Sequence, residues 1–416
     1  MTTQNFSPLL DEVRELTDQF LNADRTLYLV GGIVRDLFAN EKVTSKMDLD
    51  FTTDALPDEI KKIVAPVADN LWLSGEKFGT IGIQHNGRIY EITTHRAESY
   101  DIDSRKPQVS YSKDINEDLS RRDFTINAMA ISLPDGTLID PFNGQHDLKE
   151  GLLRTPLTPQ ESFSDDPLRM MRAARFMAGY NLIPAPELIN AMHDLAERFN
   201  IVSAERILGE LDKLLQVQFP EKGFLLLHDT GILRLFLPEI SSKRFQYLSE
   251  ITTDATLRMA ALLAEMAPPE SKKRLRELRY SKERSSAIQQ IIDGAITIFQ
   301  DPSSDSNYRR WYHQIGEYRE QSFQIALTLN EEARQIWAKM EETRTQLGSE
   351  LDDFSLPITG DEIIKLLQVE EGPIVGEALQ YLQHQRFEYG QISNSEAQKM
   401  LQDWWAAKSN QPSDVD

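Results

Sequence analysis

Between Thr26 and about Pro141, short runs of β-branched and aromatic residues alternate with turn residues: TLYLV, DLDFTT, GTIGIQ, RIYEITTH, NAMAISL and GTLIDPF. This spacing predicts strands, and Asn86-Gly87 and Pro134-Asp135-Gly136 predict hairpin turns, so at least part of the sheet is antiparallel. After about Lys149 apolar positions recur at helical spacing, in PLRMMRAARFMAGY, ELINAMHDLAERF, SAERILGELDKLLQ, TLRMAALLAEM, RSSAIQQIIDGAITIF and EEARQIWAKMEETRTQL. Such spacing lines one face of a helix with apolar side chains. The predicted fold class is α+β: a sheet-bearing head followed by an all-α remainder. Residues 300–307 and 348–356 read as loops or boundaries, residues 409–416 as a frayed tail, and no repeat of 20–50 residues is present.

A chain of 416 residues has room for two to four domains with cores of their own. It contains no cysteine, which excludes disulfide frameworks, thiolate zinc sites, iron–sulfur clusters and cysteine nucleophiles, and points to a reducing cytoplasm. The first residues carry acids where a signal peptide would have a basic start and an apolar core, and no run reaches the ~20 apolar residues of a membrane span. Lys and Arg total 45 against 66 Asp and Glu, a net charge of −21, which argues against a surface that traps nucleic acid everywhere. Basic charge is concentrated instead in Lys272 to Arg284, so Lys272, Lys273, Arg274, Arg276 and Arg279 are the candidates for a phosphate backbone.

The candidate chemistry begins where a buried strand runs into Gly31-Gly32 and then a helical segment. Glycines there let backbone N–H groups approach an anion, although such a turn also serves as a plain tight connection. Asp48-Leu49-Asp50-Phe51 places two carboxylates on one face of a strand, since residues i and i+2 share a face. By itself the pattern also fits a solvated edge strand. Glu91, between Tyr90 and Ile92 on another predicted strand, is a third acid. Three carboxylates on adjacent strands beside a glycine turn fit a two-magnesium phosphoryl-transfer site.

Four motifs in order, GGIVRD, Asp48-x-Asp50, RRDFTINAMA from Arg121 and DDPLRMMRAARF from Asp165, resemble the bacterial class II tRNA nucleotidyltransferases of the DNA polymerase β superfamily. The resemblance continues through SAERILGELDKLL and GDEIIKLLQVEEGPIVGEALQYL and is weakest between about Ser241 and Leu347. It implies a nucleotidyltransferase head over residues 1–150, a neck for base recognition and RNA binding over 151–240, a body over 241–347 and a tRNA-binding tail over 348–416. It further implies that Gly31, Gly32, Arg35, Asp48 and Asp50 bind triphosphate and metals, and that Arg122, Asp123 and Asn127 contact ribose and phosphates. Glu91 enters from the superfamily's third-carboxylate pattern, and Arg105 as the functional residue of the family's flexible loop between Arg96 and Leu119.

The base-reading motif also follows from chemistry. Ser164-Asp165-Asp166-Pro167 reads as the capped opening of a helix that puts Asp166 and Arg169 on one face. Cytosine and adenine both present an exocyclic amine beside a ring-nitrogen acceptor, and guanine and uracil present the reverse. Asp166 can accept from the amine and Arg169 can donate to the ring nitrogen, so the pair selects C and A. A helix-surface ion pair is the bland alternative. Arg172 and Arg175 continue the same three-residue spacing as nucleotide- or acceptor-phosphate ligands.

Many relatives carry a metal-dependent phosphohydrolase domain marked by a His-Asp dipeptide. Here Ala264-Glu265 stands at that position, and His146-Asp147, His193-Asp194 and His228-Asp229 lie elsewhere, so the middle helices read as a remnant without a metal. The implied activity is template-independent addition of CCA to tRNA from CTP and ATP with two Mg2+ ions. The expected partners are tRNA and these two nucleotides, with neither DNA nor a membrane. An A-adding or poly(A)-making polymerase on the same fold and a non-catalytic RNA-binding relative are the competing readings.

Overall fold

The computed structural model describes residues 7–39, 49–99 and 108–409. Compactness divides the chain once, into Met1–Ser249 and Glu250–Asp416. Up to residue 150 the strands are β1 (Leu27–Val30), β2 (Leu49–Thr53), β3 (Asn70–Trp72), β4 (Thr80–His85), β5 (Arg88–Thr94), β6 (Arg96–Ser99), β7 (Gln108–Tyr111), β8 (Ala130–Leu133) and β9 (Leu138–Ile139). Seven of them form one sheet in the order β3-β4-β5-β2-β1-β8-β9, antiparallel except for the β2–β5 pair. The expected hairpins at Asn86-Gly87 and Gly136 are both present, each with positive φ. β3 and the β6–β7 hairpin carried too few apolar residues to be read as strands; their pairing partners make them.

Alternation decides which way the sheet faces. Leu27, Leu29, Leu49, Phe51, Ile81, Ile83, Tyr90 and Ile92 enter one core with the helices α1 (Ser7–Glu12), α2 (Arg14–Asn22), α3 (Gly32–Phe38) and α4 (Pro57–Val64). Tyr28, Val30 and Ala130 point the other way, against Ile115 and Leu119 of α5 (Ile115–Ser120). The rest of that second face carries the polar residues considered below.

After α6 (Gly144–Glu150), the region expected as the neck contains α7 (Pro159–Asp165), α8 (Leu168–Tyr180), α9 (Pro186–Asp194), α10 (Ala204–Leu215) and α11 (Pro220–Asp229). α8 is the hub, packed on α10 and α11. Its approach to α11 requires a glycine: a Cβ on Gly223 would stand 2.8 Å from the Ala174 carbonyl oxygen. Head and neck fall in the same compact unit.

The second unit is helical: α12 (Ala255–Leu263), α13 (Pro268–Glu277), α14 (Lys282–Ile298), α15 (Asp305–Ile315), α16 (Arg319–Leu329), α17 (Ala333–Leu347), α18 (Gly360–Leu367), α19 (Pro373–Tyr389) and α20 (Asn394–Ser409). α14 packs between α12 and α16 through Ile288, Ile291, Ile292 and Ala295. Ile363, Leu367, Leu382 and Leu401 form a separate cluster that Trp404 and Trp405 pack against, and Trp404 stacks on Tyr381. Ala264 is buried at the end of α12. No helix among the described residues is long and apolar enough to cross a membrane.

Candidate active site

β1 ends in a turn that only glycine adopts without strain: Gly31 has φ 78° and precedes α3. A Cβ there would lie 3.2 Å from Asp50 Oδ2 and 3.7 Å from an Arg122 guanidinium nitrogen. The turn, the carboxylate and the arginine therefore converge on one point. Asp50 stands opposite Val30 of β1 on one side and Glu91 of β5 on the other. Both acids are exposed while their strand neighbours Leu49, Phe51, Tyr90 and Ile92 are buried, so the two carboxylates share the polar face. Asp48 and Arg105 lie outside the described residues.

The RRD segment ties this point to the neck through three consecutive residues. Arg121 offers its backbone oxygen to Arg169 Nη2 at 2.5 Å. Arg122 reaches the Gly31 turn and is held from behind by Asp118, which accepts from Arg122 Nη2 at 3.1 Å and Arg121 Nη2 at 2.7 Å. Burial pushes the Asp118 pKa up, but the two guanidinium groups outweigh it and hold the carboxyl well below its usual range. Asp123 accepts from Arg172 Nε at 2.9 Å, from Asn127 Nδ2 at 3.0 Å and from the Phe124 amide. Burial again opposes and Arg172 again prevails, so Asp123 too is held below the ordinary carboxylate value. Asn127 in turn accepts from Arg35 Nη1 at 2.8 Å, and the Arg35 guanidinium lies 4.2 Å from the centre of the Tyr180 ring. Arg35, Asp123 and Asn127 are thus buried connectors between the glycine turn and α8, each more than nine-tenths covered.

The segment expected to read the base, from Asp165 to Arg169, differs in geometry from that expectation. Asp166 does not open one helix; it caps α7, and α8 begins after Pro167. Nor do Asp166 and Arg169 pair with each other. Asp166 Oδ2 accepts from Arg206 Nη2 at 2.7 Å and Oδ1 from the Leu168 amide at 3.2 Å, while Arg169 Nη1 donates to Ser162 Oγ at 2.9 Å. The two side chains lie on the same turn with each anchored separately. Arg172 and Arg175 converge on Glu210 of α10, at 3.3 and 2.7 Å. Burial acts upward on Glu210, and Arg175 and Arg172 bring its pKa below the usual value. Arg206, Glu210 and Asp118 have no role in the sequence reading. Their spacing in RILGE and NEDLSRR is visible, but the partners are up to 40 residues away.

His95 is fully buried beneath this face, its Nδ1 2.8 Å from Thr52 Oγ1, and burial keeps its pKa below the usual imidazole value. In the second unit Lys272, Lys273, Arg276 and Arg279 are exposed, whereas Arg274 is half-buried and bridges to Glu277 at 2.9 Å. Lys272, Arg276 and Lys282 line a groove of about 710 Å³. Among the described residues no group of three or more His, Asp or Glu is gathered as a metal cluster.

The family model for the Poly A polymerase head domain matches residues 27–154, and that for a probable RNA and SrmB-binding site of polymerase A matches residues 181–244. A CCA-adding enzyme of Streptococcus agalactiae is 30% identical over 411 residues, 94% of each chain. One of Streptococcus gordonii is 36% identical over 274 residues, 64% of this chain and 66% of that one, and one of Levilactobacillus brevis is 44% identical over half of each. The solved Bacillus stearothermophilus CCA-adding enzyme in complex with CTP is similar over 99% of this chain and all of that one, with a TM-score of 0.79 and 25% identity. A Thermotoga maritima CCA-adding enzyme complexed with tRNA shares the fold, with a TM-score of 0.66 over 95% of each chain at 21% identity.

Proposed function

Since the chain belongs to the CCA-adding enzyme family, we propose that it adds CMP, CMP and AMP to the 3′ end of tRNA, using CTP and ATP and no nucleic-acid template. The observation that carries this reading is one short segment holding three functions together. Arg122 meets the Gly31 turn and Asp50, the Arg121 carbonyl fixes Arg169 of the base-reading turn, and Asp123 fixes α8 through Arg172.

Carboxylate oxygens are the donors that hard cations take, and the exposed Asp50 and Glu91 on one face fit magnesium. Asp48, two residues before Asp50, is proposed as a further ligand. When bound, magnesium supplies neutralisation of phosphate charge and a lowered pKa for the attacking hydroxyl. With no Cβ on Gly31, the turn brings its backbone up to Asp50 and Arg122, and Arg122, oriented by Asp118, offers donors to phosphates. The RNA 3′-oxygen attacks the α-phosphorus, the bond to the β-phosphate oxygen breaks, and pyrophosphate leaves.

Arg169 has five N–H donors, of which the contacts to Ser162 and Arg121 commit two, so the group is fixed in orientation with donors remaining for a ring nitrogen. Asp166, held by Arg206, retains acceptor capacity for an exocyclic amine. We place the reaction in the cytoplasm, in keeping with the absence of cysteine.

The test is extension of tRNAs ending at the discriminator base, at C, at CC and at CCA, with each NTP supplied singly and together. Two cytidines followed by one adenosine, and then arrest, are expected. Addition of A alone, or continuous adenylation of an unstructured oligonucleotide, would support the polymerase suggested by the Poly A polymerase head-domain match.

A further inference from the structure

The register of the sheet lines up four residues side by side. Asp50 is opposite Glu91, Glu91 opposite Gly82, and Gly82 opposite Trp72. Directly opposed residues project from the same face, so the indole of Trp72 and the carboxylates share one surface of the head. Gly82 leaves its place in that row bare: a Cβ there would lie 3.3 Å from Trp72 Cε3. The indole therefore lies over β4, on the side toward Glu91. At a strand spacing of about 4.8 Å, two steps put Trp72 about 10 Å from Glu91.

Trp72 keeps 41% of its surface exposed. An exposed apolar side chain is ordinary by itself; its place in the row is what matters. The two sides of Asp50 differ in chemistry. Toward β1 stand the Gly31 turn and Arg122, groups that bind anions. Toward β3 the row continues with a carboxylate, a glycine and an indole. Triphosphate thus belongs on the β1 side, and the nucleotide bearing the attacking hydroxyl must arrive over β5 and β4.

We propose that Trp72 is the platform on which the 3′-terminal base of the RNA acceptor stacks, so that its ribose hydroxyl is presented to Asp50 and Glu91. The inference rests on the functional reading above and adds the acceptor's binding site to it. Stacking suits the task, because the terminal base changes from the discriminator to C as addition proceeds, and every base has a π-face where hydrogen-bond readout would discriminate.

The test is a cycle between Trp72→Ala and a tRNA whose 3′-terminal nucleotide lacks its base, with kcat/KM for tRNA and KM for CTP and ATP measured in all four combinations. On the intact acceptor Trp72→Ala should lower kcat/KM for tRNA by about tenfold to a hundredfold, leave the KM for both nucleotides unchanged, and be largely rescued by Trp72→Phe. On the base-less acceptor, wild type and Trp72→Ala should be equal. Equal losses on both acceptors, or none on the intact one, overturn the platform in an otherwise active enzyme. A wild-type chain that extends no tRNA overturns the functional reading and this inference with it. Should Trp72→Ala fail to fold, Trp72→Phe and Trp72→Leu replace it: a loss with Leu but not Phe on the intact acceptor alone supports stacking, and any other pattern opposes it.

Discussion

Two acidic regions of the first unit are built on opposite principles. On the sheet, Asp50 and Glu91 lie side by side and exposed. Elsewhere in the same unit Asp118, Asp123 and Glu210 are buried, and each is held by one or two arginines. The first pair is placed where a cation and a phosphate can reach it; the second set joins RRD, α8 and α10 into one frame. The same residue types therefore separate by burial into those proposed for the chemistry and those that hold the frame together.

The contrast is broken most severely at the exposed pair. Asp50→Ala should lower incorporation of CTP and ATP alike by about a thousandfold or more, and Asp48→Ala should do the same. Thermal stability of Asp50→Ala, an exposed position, should change far less than activity. Single-turnover rates and melting curves measured together check this; near-normal turnover in magnesium would remove both acids from the metal assignment.

At the buried set the effect is reversed. Asp118→Asn leaves Arg121 and Arg122 without their anion, and a loss of about 3–5 kcal/mol of folding stability is expected in urea titrations. The folded pKa values of Asp118 and Asp123 lie below their unfolded ones. Their contribution is therefore complete above the ordinary carboxylate value near pH 4 and is lost as pH falls from there through the depressed values. Wild-type stability should fall steeply in that window, and Asp118→Asn, already weakened at neutral pH, should show a shallower decline. Parallel declines would deny Asp118 this role.

Between the extremes is Asp166, partly exposed and held by Arg206. Asp166→Ala or Arg169→Ala should raise use of UTP and GTP relative to CTP and ATP by about tenfold to a hundredfold, with magnesium dependence unchanged. The ratios of kcat/KM for the four nucleotides on a tRNA ending in CC decide the matter, and unchanged ratios in folded variants would move the template elsewhere. The smallest effect belongs to the second unit. Lys272→Glu with Arg276→Glu should raise the KM for tRNA about three- to tenfold and reduce its salt dependence, without altering the KM for CTP or ATP.

The strand leading to Gly31 and those carrying Asp50 and Glu91 were legible in the sequence because alternation is local: one buried neighbour on each side shows which way a carboxylate faces. The hairpin turns and the helical remainder followed from equally local signals. β3 was not legible, since Asn70-Leu71-Trp72 has too little apolar alternation and becomes a strand by pairing with β4. Trp72 therefore had no place beside the carboxylates until the register supplied one. The arginines at three-residue spacing showed the same limit. Their chain positions gave a common helix face and suggested phosphates, yet Arg172 binds an aspartate 49 residues earlier and a glutamate 38 later, and Asp166 is held by an arginine 40 residues on.

Residue identity and short-range period were enough to establish the α+β class and the order of the motifs, because strand and helix periods repeat within a few residues. Which charges are exposed and which are buried and paired was decided by the packing of α8 between the RRD segment and α10. A salt bridge is chosen by proximity in space and by the cost of leaving a buried charge alone, and neither quantity exists until distant segments have met.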